Sequence, residues 1–144
     1  MTDGDPKVYF LLQRAAHRLK RAADRTSAAA AGVTTAQLAV LMVIDQEPGC
    51  TQRRVASVLA QTESATMTML ARLQSAGLVT RTPNPSEHRA MSLALTPAGS
   101  SALSSGGEEM KRFNERIRDV LGDDLAPIAD GLDRLLAADF GPDT

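Results

Sequence analysis

The sequence predicts a mainly α-helical protein carrying one short β-hairpin, and three observations carry that prediction. Apolar positions recur every three or four residues through most of the chain, the signature of amphipathic helices. After Gly77 the spacing switches for a short stretch to period two, the signature of strands. Aromatic residues make up only 3% of the 144, with no Trp. A core must then be built from Leu, Val, Ile, Met and Ala, which suits packed helices better than a sandwich of sheets. Apolar residues at 43% and charged residues at 23% are an ordinary globular mixture, and the length is that of one domain.

The first helix is read from Val8, Leu12, Ala15, Leu19 and Ala22, a seam with heptad-like steps suited to packing on another helix. Arg14, Arg18, Arg21 and Arg25 follow the same rhythm on an adjoining face, and Ala28 to Ala31 mark a small-residue end before Gly32. A second helix starts at a capping box, Thr34 with Gln37, with Val33 able to staple to Leu38 across the cap. Its apolar positions are Leu38, Leu41, Met42 and Ile44, and Pro48-Gly49 stops it. Thr51 caps a short third helix expected to bury Val55, Val58 and Leu59. Thr62 caps a fourth with Thr66, Met69, Leu70 and Leu73 inward, and Gly77-Leu78 reads as its left-handed glycine stop.

Leu78 to Thr82 reads as a strand, and Met91, Leu93 and Leu95 alternate with small residues as a second. Between them lies the polar, basic-tipped loop Pro83-Asn-Pro-Ser-Glu-His-Arg89, whose prolines do not belong in a paired central strand. Thr96-Pro97 caps a fifth helix with Leu103, Met110, Ile117 and Leu121 on one stripe, where Gly106-Gly107 is expected to loosen or break it. A last helix from about Asp124 is expected to bury Leu125, Ile128, Leu132 and Leu135, with Pro127 tolerated in its first turn.

Several function classes fall away. A single cysteine, Cys50, excludes an internal disulfide and a four-thiolate zinc site, and with two histidines it makes no metal-ligand spacing. No cofactor or metal is expected. The longest strongly apolar run, Leu38 to Ile44, is too short to span a bilayer, and the N-terminus shows no secretory pattern. The expectation is a cytoplasmic protein without a membrane partner. No phosphate-binding glycine loop, nucleophile elbow or carboxylate–histidine set suggests an enzyme.

The charge is unevenly spread. Residues 51–95 carry five Lys or Arg against two acids, whereas residues 96–144 carry five against ten, within a net charge of −1. A basic centre beside an acidic last third is compatible with a local polyanion site. Helix, helix, short turn, helix, then hairpin is the order of a winged helix-turn-helix. Its fourth helix presents Glu63, Ser64, Met67, Thr68, Ala71 and Arg72 outward, small or polar groups of the kind a major groove accepts. The hairpin loop could carry Arg89 to a neighbouring minor groove.

On these residues the chain resembles the MarR-type (multiple antibiotic resistance) transcriptional regulators. Met69-Leu-Ala-Arg-Leu-Gln-Ser-Ala-Gly-Leu-Val-Thr-Arg81 is similar to the family's recognition-helix exit. Pro83 to Arg89 is similar to its wing, and Leu93-Ala-Leu-Thr-Pro-Ala-Gly99 to its wing exit. The resemblance implies one domain over 1–144: a DNA-binding winged helix-turn-helix lobe at about 34–96, and dimerisation helices at about 6–30 and 97–140. It implies a homodimer on double-stranded DNA with a pseudo-palindromic operator, in most members as a repressor. A small, often phenolic or aromatic ligand would release the DNA from a cleft beside the dimerisation helices.

The candidate DNA-binding residues are Thr51, Gln52, Arg53 and Arg54 for phosphates, Ser64, Met67, Thr68 and Arg72 for the major groove, and His88 with Arg89 for the wing. Arg53 and Arg54 could equally form surface ion pairs. Dimerisation is expected through Val8, Leu12, Leu19, Ile117, Leu121, Leu132 and Leu135. Two departures from the family matter. Glu87 stands where an Asp is usual, and Met67-Thr68 stands where Thr-Arg is common, which favours thymine methyls over guanine there. Cys50 is expected as a small buried apolar group, and His17 at an interface or in solvent. The alternative of another class is a winged-helix protein-interaction module without specific DNA binding.

Overall fold

The computed structural model describes residues 7–86 and 90–142. Six helices and one hairpin follow in order: α1 (Val8–Ala31), α2 (Thr35–Gln46), α3 (Gln52–Val58), α4 (Glu63–Ser75), β1 (Val79–Pro83), β2 (Met91–Leu95), α5 (Pro97–Leu121) and α6 (Leu125–Ala137). A short 3₁₀ turn, Gly122–Asp124, leads into α6. The fold is that of a mainly helical winged helix-turn-helix. The chain divides into two compact units, Met1–Met110 and Lys111–Thr144, and α5 contributes to both.

In the first unit α2 is the central element, packing against α1, α3, α4 and β2. Its start is the full capping box: Thr34 Oγ1 accepts from the Gln37 amide at 3.2 Å, and Gln37 Oε1 accepts from the Thr34 amide at 2.9 Å. Asp24, on α1, reinforces it. One carboxylate oxygen accepts from the Thr35 amide at 2.9 Å and the Thr35 hydroxyl at 2.6 Å, and the other from Lys20 Nζ at 3.0 Å. A carboxylate at a helix N-terminus satisfies an orphan donor and opposes the helix dipole. Because α2 is surrounded, Leu38, Val40, Leu41, Val43 and Ile44 are all buried, and Met42 instead points outward.

The turn between α3 and α4 shows why Val58 is exposed rather than buried as expected. The pair Val55-Ala56 supplies the inward face of α3, and Leu59 is half-buried. The helix then stops without a glycine. Ala60 takes a left-handed φ of +52°, its amide donates to Ser57 O, and the Gln61 amide reaches Ala56 O at 2.9 Å. This is the same paired-bond stop that α4 makes with Gly77 at φ +76°, where Gly77 N reaches Gln74 O and Leu78 N reaches Leu73 O, each at 3.0 Å.

The hairpin pairs Val79 with Leu95 through Pro83 with Met91 in antiparallel register, so the first strand starts and ends one residue later than the pattern predicts. Pro83 sits at the last paired position, where a missing donor costs least. Leu93 is fully buried, and its backbone also bonds the Gly49-Cys50 segment through Gly49 N to Leu93 O and Leu93 N to Cys50 O, both 2.9 Å. These bonds tie the wing to the entry of α3.

Thr96 caps α5, accepting from the Gly99 amide at 3.0 Å and donating to Gly77 O at 2.6 Å. The expected break at Gly106-Gly107 does not occur, and α5 runs unbroken for 25 residues. Gly106 is a close-approach site instead: a β-carbon there would lie 2.5 Å from Leu38 Cδ1, whereas one at Gly107 meets nothing within 4 Å. In the second unit the stripe of α6 is not buried within the chain. Ile128, Leu132 and Leu135 are exposed, because one amphipathic helix can cover its apolar face only against a partner.

Candidate nucleic-acid interface

The outer face of α4 is held out by a buried inner one. Thr66, Leu70 and Leu73 are sealed in the core and Met69 packs beside it, as the periodicity requires. Thr62 caps the helix, its hydroxyl accepting from the Ala65 amide at 3.1 Å, and Thr66 Oγ1 lies 3.4 Å from Gln61 Oε1. Glu63, Ser64, Met67, Thr68, Ala71 and Arg72 all face solvent. Met67, Thr68, Ala71, Arg72, Ser75 and Ala76 line one shallow depression along that face. The Thr68 hydroxyl donates back to Ser64 O at 3.2 Å, so its proton is committed within the helix. Arg72 has no carboxylate within ion-pair distance among the described residues.

The four residues read as phosphate contacts cluster at the start of α3. Thr51 is its cap, Oγ1 accepting from the Arg54 amide at 3.2 Å. Arg53 is exposed, with Nε 3.8 Å from a Glu63 oxygen, a long and weak pair. Arg54 is engaged differently. Its Nε and Nη2 form a two-pronged contact with Glu47, at 3.0 Å to each carboxylate oxygen, and the guanidinium holds the Glu47 carboxyl below its usual range. Of the two roles open to Arg54 in the sequence, the ion pair is therefore the one formed in the free protein.

Gln52 carries a contact that sequence reasoning missed. Its Oε1 accepts from Arg81 Nη2 at 3.4 Å, and Arg81 Nε is sealed from solvent with no acceptor. The signal was the alternation of β1, which puts Arg81 on the same side as buried Val79. The wing is described on both sides of its tip: Asn84 N reaches Ala90 O at 3.0 Å, and Asn84 Oδ1 accepts from Ser86 N. His88 and Arg89, with Glu87, lie outside the described residues. Cys50 is half-buried against the core, and burial pushes its thiol up, as befits an apolar filler. His17 is exposed on α1.

A sequence model of the MarR family matches residues 31–90, from the end of α1 to the wing. The matched span contains the cap of α2, the α3–α4 turn, the outward face of α4 and the first strand of the wing, and the solved structures described below extend the match over most of the chain. The chain is similar to MarR-family transcriptional regulators in sequence and in fold. It is 29% identical over 115 residues to a protein of Thauera aromatica named as a transcriptional regulator for the hcr operon, covering 77% of this chain and 69% of that one. It is 28% identical to the transcriptional repressor CouR bound to a 23-mer DNA duplex, at a TM-score of 0.80 over 90% of this chain and 91% of CouR. CouR has also been solved with p-coumaroyl-CoA. The PcaV regulator of Streptomyces coelicolor, solved with its natural ligand, is 26% identical at a TM-score of 0.74, covering 95% of this chain and 97% of PcaV. Among the described residues no single helix is long and apolar enough to cross a membrane.

Proposed function

We propose that this chain is a MarR-type regulator: a homodimeric, sequence-specific DNA-binding repressor of a nearby promoter, released by a small aromatic effector. The observation that carries the reading is the outer face of α4: small, apolar and singly cationic, and fixed by a sealed inner face. Such a face offers a major groove shape and few committed charges. Ser64, Met67, Thr68 and Arg72 take the major groove, Thr51, Gln52, Arg53 and Arg54 the phosphates, and His88 and Arg89 an adjacent minor groove. Arg54 must exchange its Glu47 partner for a phosphate to do so.

The dimer is supported by unpartnered apolar surface. Val8, Leu12 and Leu19 on α1 are 49%, 37% and 41% exposed, and Leu132 and Leu135 on α6 are 41% and 42% exposed. With the half-buried Ile117 and Leu121 of α5 they form the surfaces that a second copy covers. Each has less than half of its surface left to cover, so burying it is worth about 1 kcal/mol, and together they favour association. The aromatic effector is supported by the relatives, one of which is bound to p-coumaroyl-CoA, a phenolic thioester.

Selection from a random duplex pool by the purified protein tests the reading. It should enrich an inverted repeat whose half-sites lie about 34 Å apart, one turn of DNA. Failure to enrich any sequence while the protein sediments as a folded monomer would leave the protein-interaction alternative standing.

A further inference from the structure

The outer face of α4 is short of hydrogen-bond donors, and the structure shows why its threonine does not supply one. Thr68 Oγ1 donates to Ser64 O, so the exposed part of this side chain offers its methyl group and acceptor lone pairs. Met67, half-exposed, and Ala71 add further apolar surface to the same depression, one turn apart on a single ridge. At the depression's other side stands Arg72, without a carboxylate partner among the described residues. Ser64 keeps a hydroxyl, but a hydroxyl discriminates poorly because it can serve either donor or acceptor bases.

We propose that this face reads its half-site through thymine 5-methyl groups seated against Met67, Thr68 and Ala71, with one guanine taken by Arg72. The 5-methyl is the only apolar feature that a base pair shows in the major groove, and an unpaired guanidinium is matched to the O6 and N7 acceptors of guanine. Thr68 and Arg72 are one turn apart, about 6 Å along the helix, so thymine and guanine fall roughly two steps of about 3.4 Å apart. The inference rests on the DNA-binding reading and adds the chemistry of what is read.

The test uses the wild-type protein and the duplex enriched from the random pool, synthesised with thymidine or with 2′-deoxyuridine, which lacks only the methyl. Each thymine contacted should contribute about fourfold in affinity, so the uracil duplex should bind several-fold more weakly. Thr68→Val, which keeps a methyl and drops the hydroxyl, should retain the thymine preference, and Thr68→Ser should lose its share of it. Equal binding of the thymine and uracil duplexes overturns the inference while leaving DNA binding intact. Loss of the preference in Thr68→Val but not in Thr68→Ser overturns it too, because the hydroxyl would then be the reader. Failure to bind any duplex overturns the underlying function instead.

Discussion

Ala60 illustrates how a single residue shapes the turn between α3 and α4. At φ +52° it occupies the position that glycine normally fills at a helix stop, and an L side chain there crowds the neighbouring carbonyl. Ala60→Gly should raise stability by about 0.5–1 kcal/mol, the relief of strain outweighing the extra freedom of glycine in the unfolded chain. Thermal denaturation should show this as a rise of a few degrees; a fall would mean that the turn is not strained. Glu47 acts at the same scale. If Arg54 takes a phosphate as proposed, the two-pronged hold of Glu47 competes with it, so Glu47→Gln should tighten DNA binding and steepen its salt dependence by about one counterion. An unchanged slope in a salt titration would assign Arg54 to the scaffold alone. This pairing could not be read from the sequence, because the two residues are seven apart across a Pro-Gly turn, outside any helical spacing.

At the scale of elements, the parts that depend on local chemistry were legible and those that depend on partners were not. The caps Thr34, Thr51, Thr62 and Thr96 and the stop at Gly77 each form as their residue types require, since a cap is a contact within four residues. The outward face of α4 was legible for a similar reason, its inner side following one period. The sides of α2 and α3 were not. Val40 and Val43 are buried because α2 is enclosed by four neighbours, while Met42 falls between them and Val58 lies at the turn that ends α3, and no single-helix periodicity encodes either. Gly106 was misread as a weak point when it is a contact. The pair Gly106→Ala and Gly107→Ala separates the two roles. The second should stabilise α5 by up to about 1 kcal/mol through helix propensity, and the first should be destabilising by about 1–2 kcal/mol as Leu38 is forced from its place. Chemical denaturation of both variants checks this, and equal gains would refute the close approach.

The tie from α1 to α2 belongs to the same scale and carries a pH signature. The Thr35 hydroxyl, followed by the Thr35 amide and Lys20, holds the Asp24 carboxyl below its ordinary value of 3.8 in spite of partial burial. A depressed carboxyl stabilises the fold fully above its unfolded value, and that contribution disappears as pH falls through the lower folded value. Asp24→Ala should cost about 1 kcal/mol at neutral pH and flatten the acid limb of the stability profile below about pH 4. A parallel acid limb in wild type and variant would show that Asp24 is not a linked group.

On the scale of the whole molecule, surface left uncovered by one chain defines what the chain must meet. Arg14, Arg18, Arg21 and Arg25 are exposed along α1, and the last third of the chain is acidic. Charges of opposite sign across an interface between copies select register more than they add stability. Arg18→Glu with Arg21→Glu should therefore weaken dimerisation more than contact with an isolated half-site, and sedimentation velocity reads the difference. An unaltered dimer would move those arginines out of the interface. The operator and the effector of the proposed function could not be read from the sequence, because bases are read by a combination of shape and contacts and an apolar ligand pocket leaves no linear motif.

Salt dependence of binding to the selected duplex is the measurement closest to the central claim, that the outer face of α4 lies in a major groove while basic side chains hold the backbone. A plot of log affinity against log salt should fall steeply, with a slope of several units in magnitude, one for each phosphate neutralised. A flat line, or binding indifferent to sequence at every salt concentration, would contradict it.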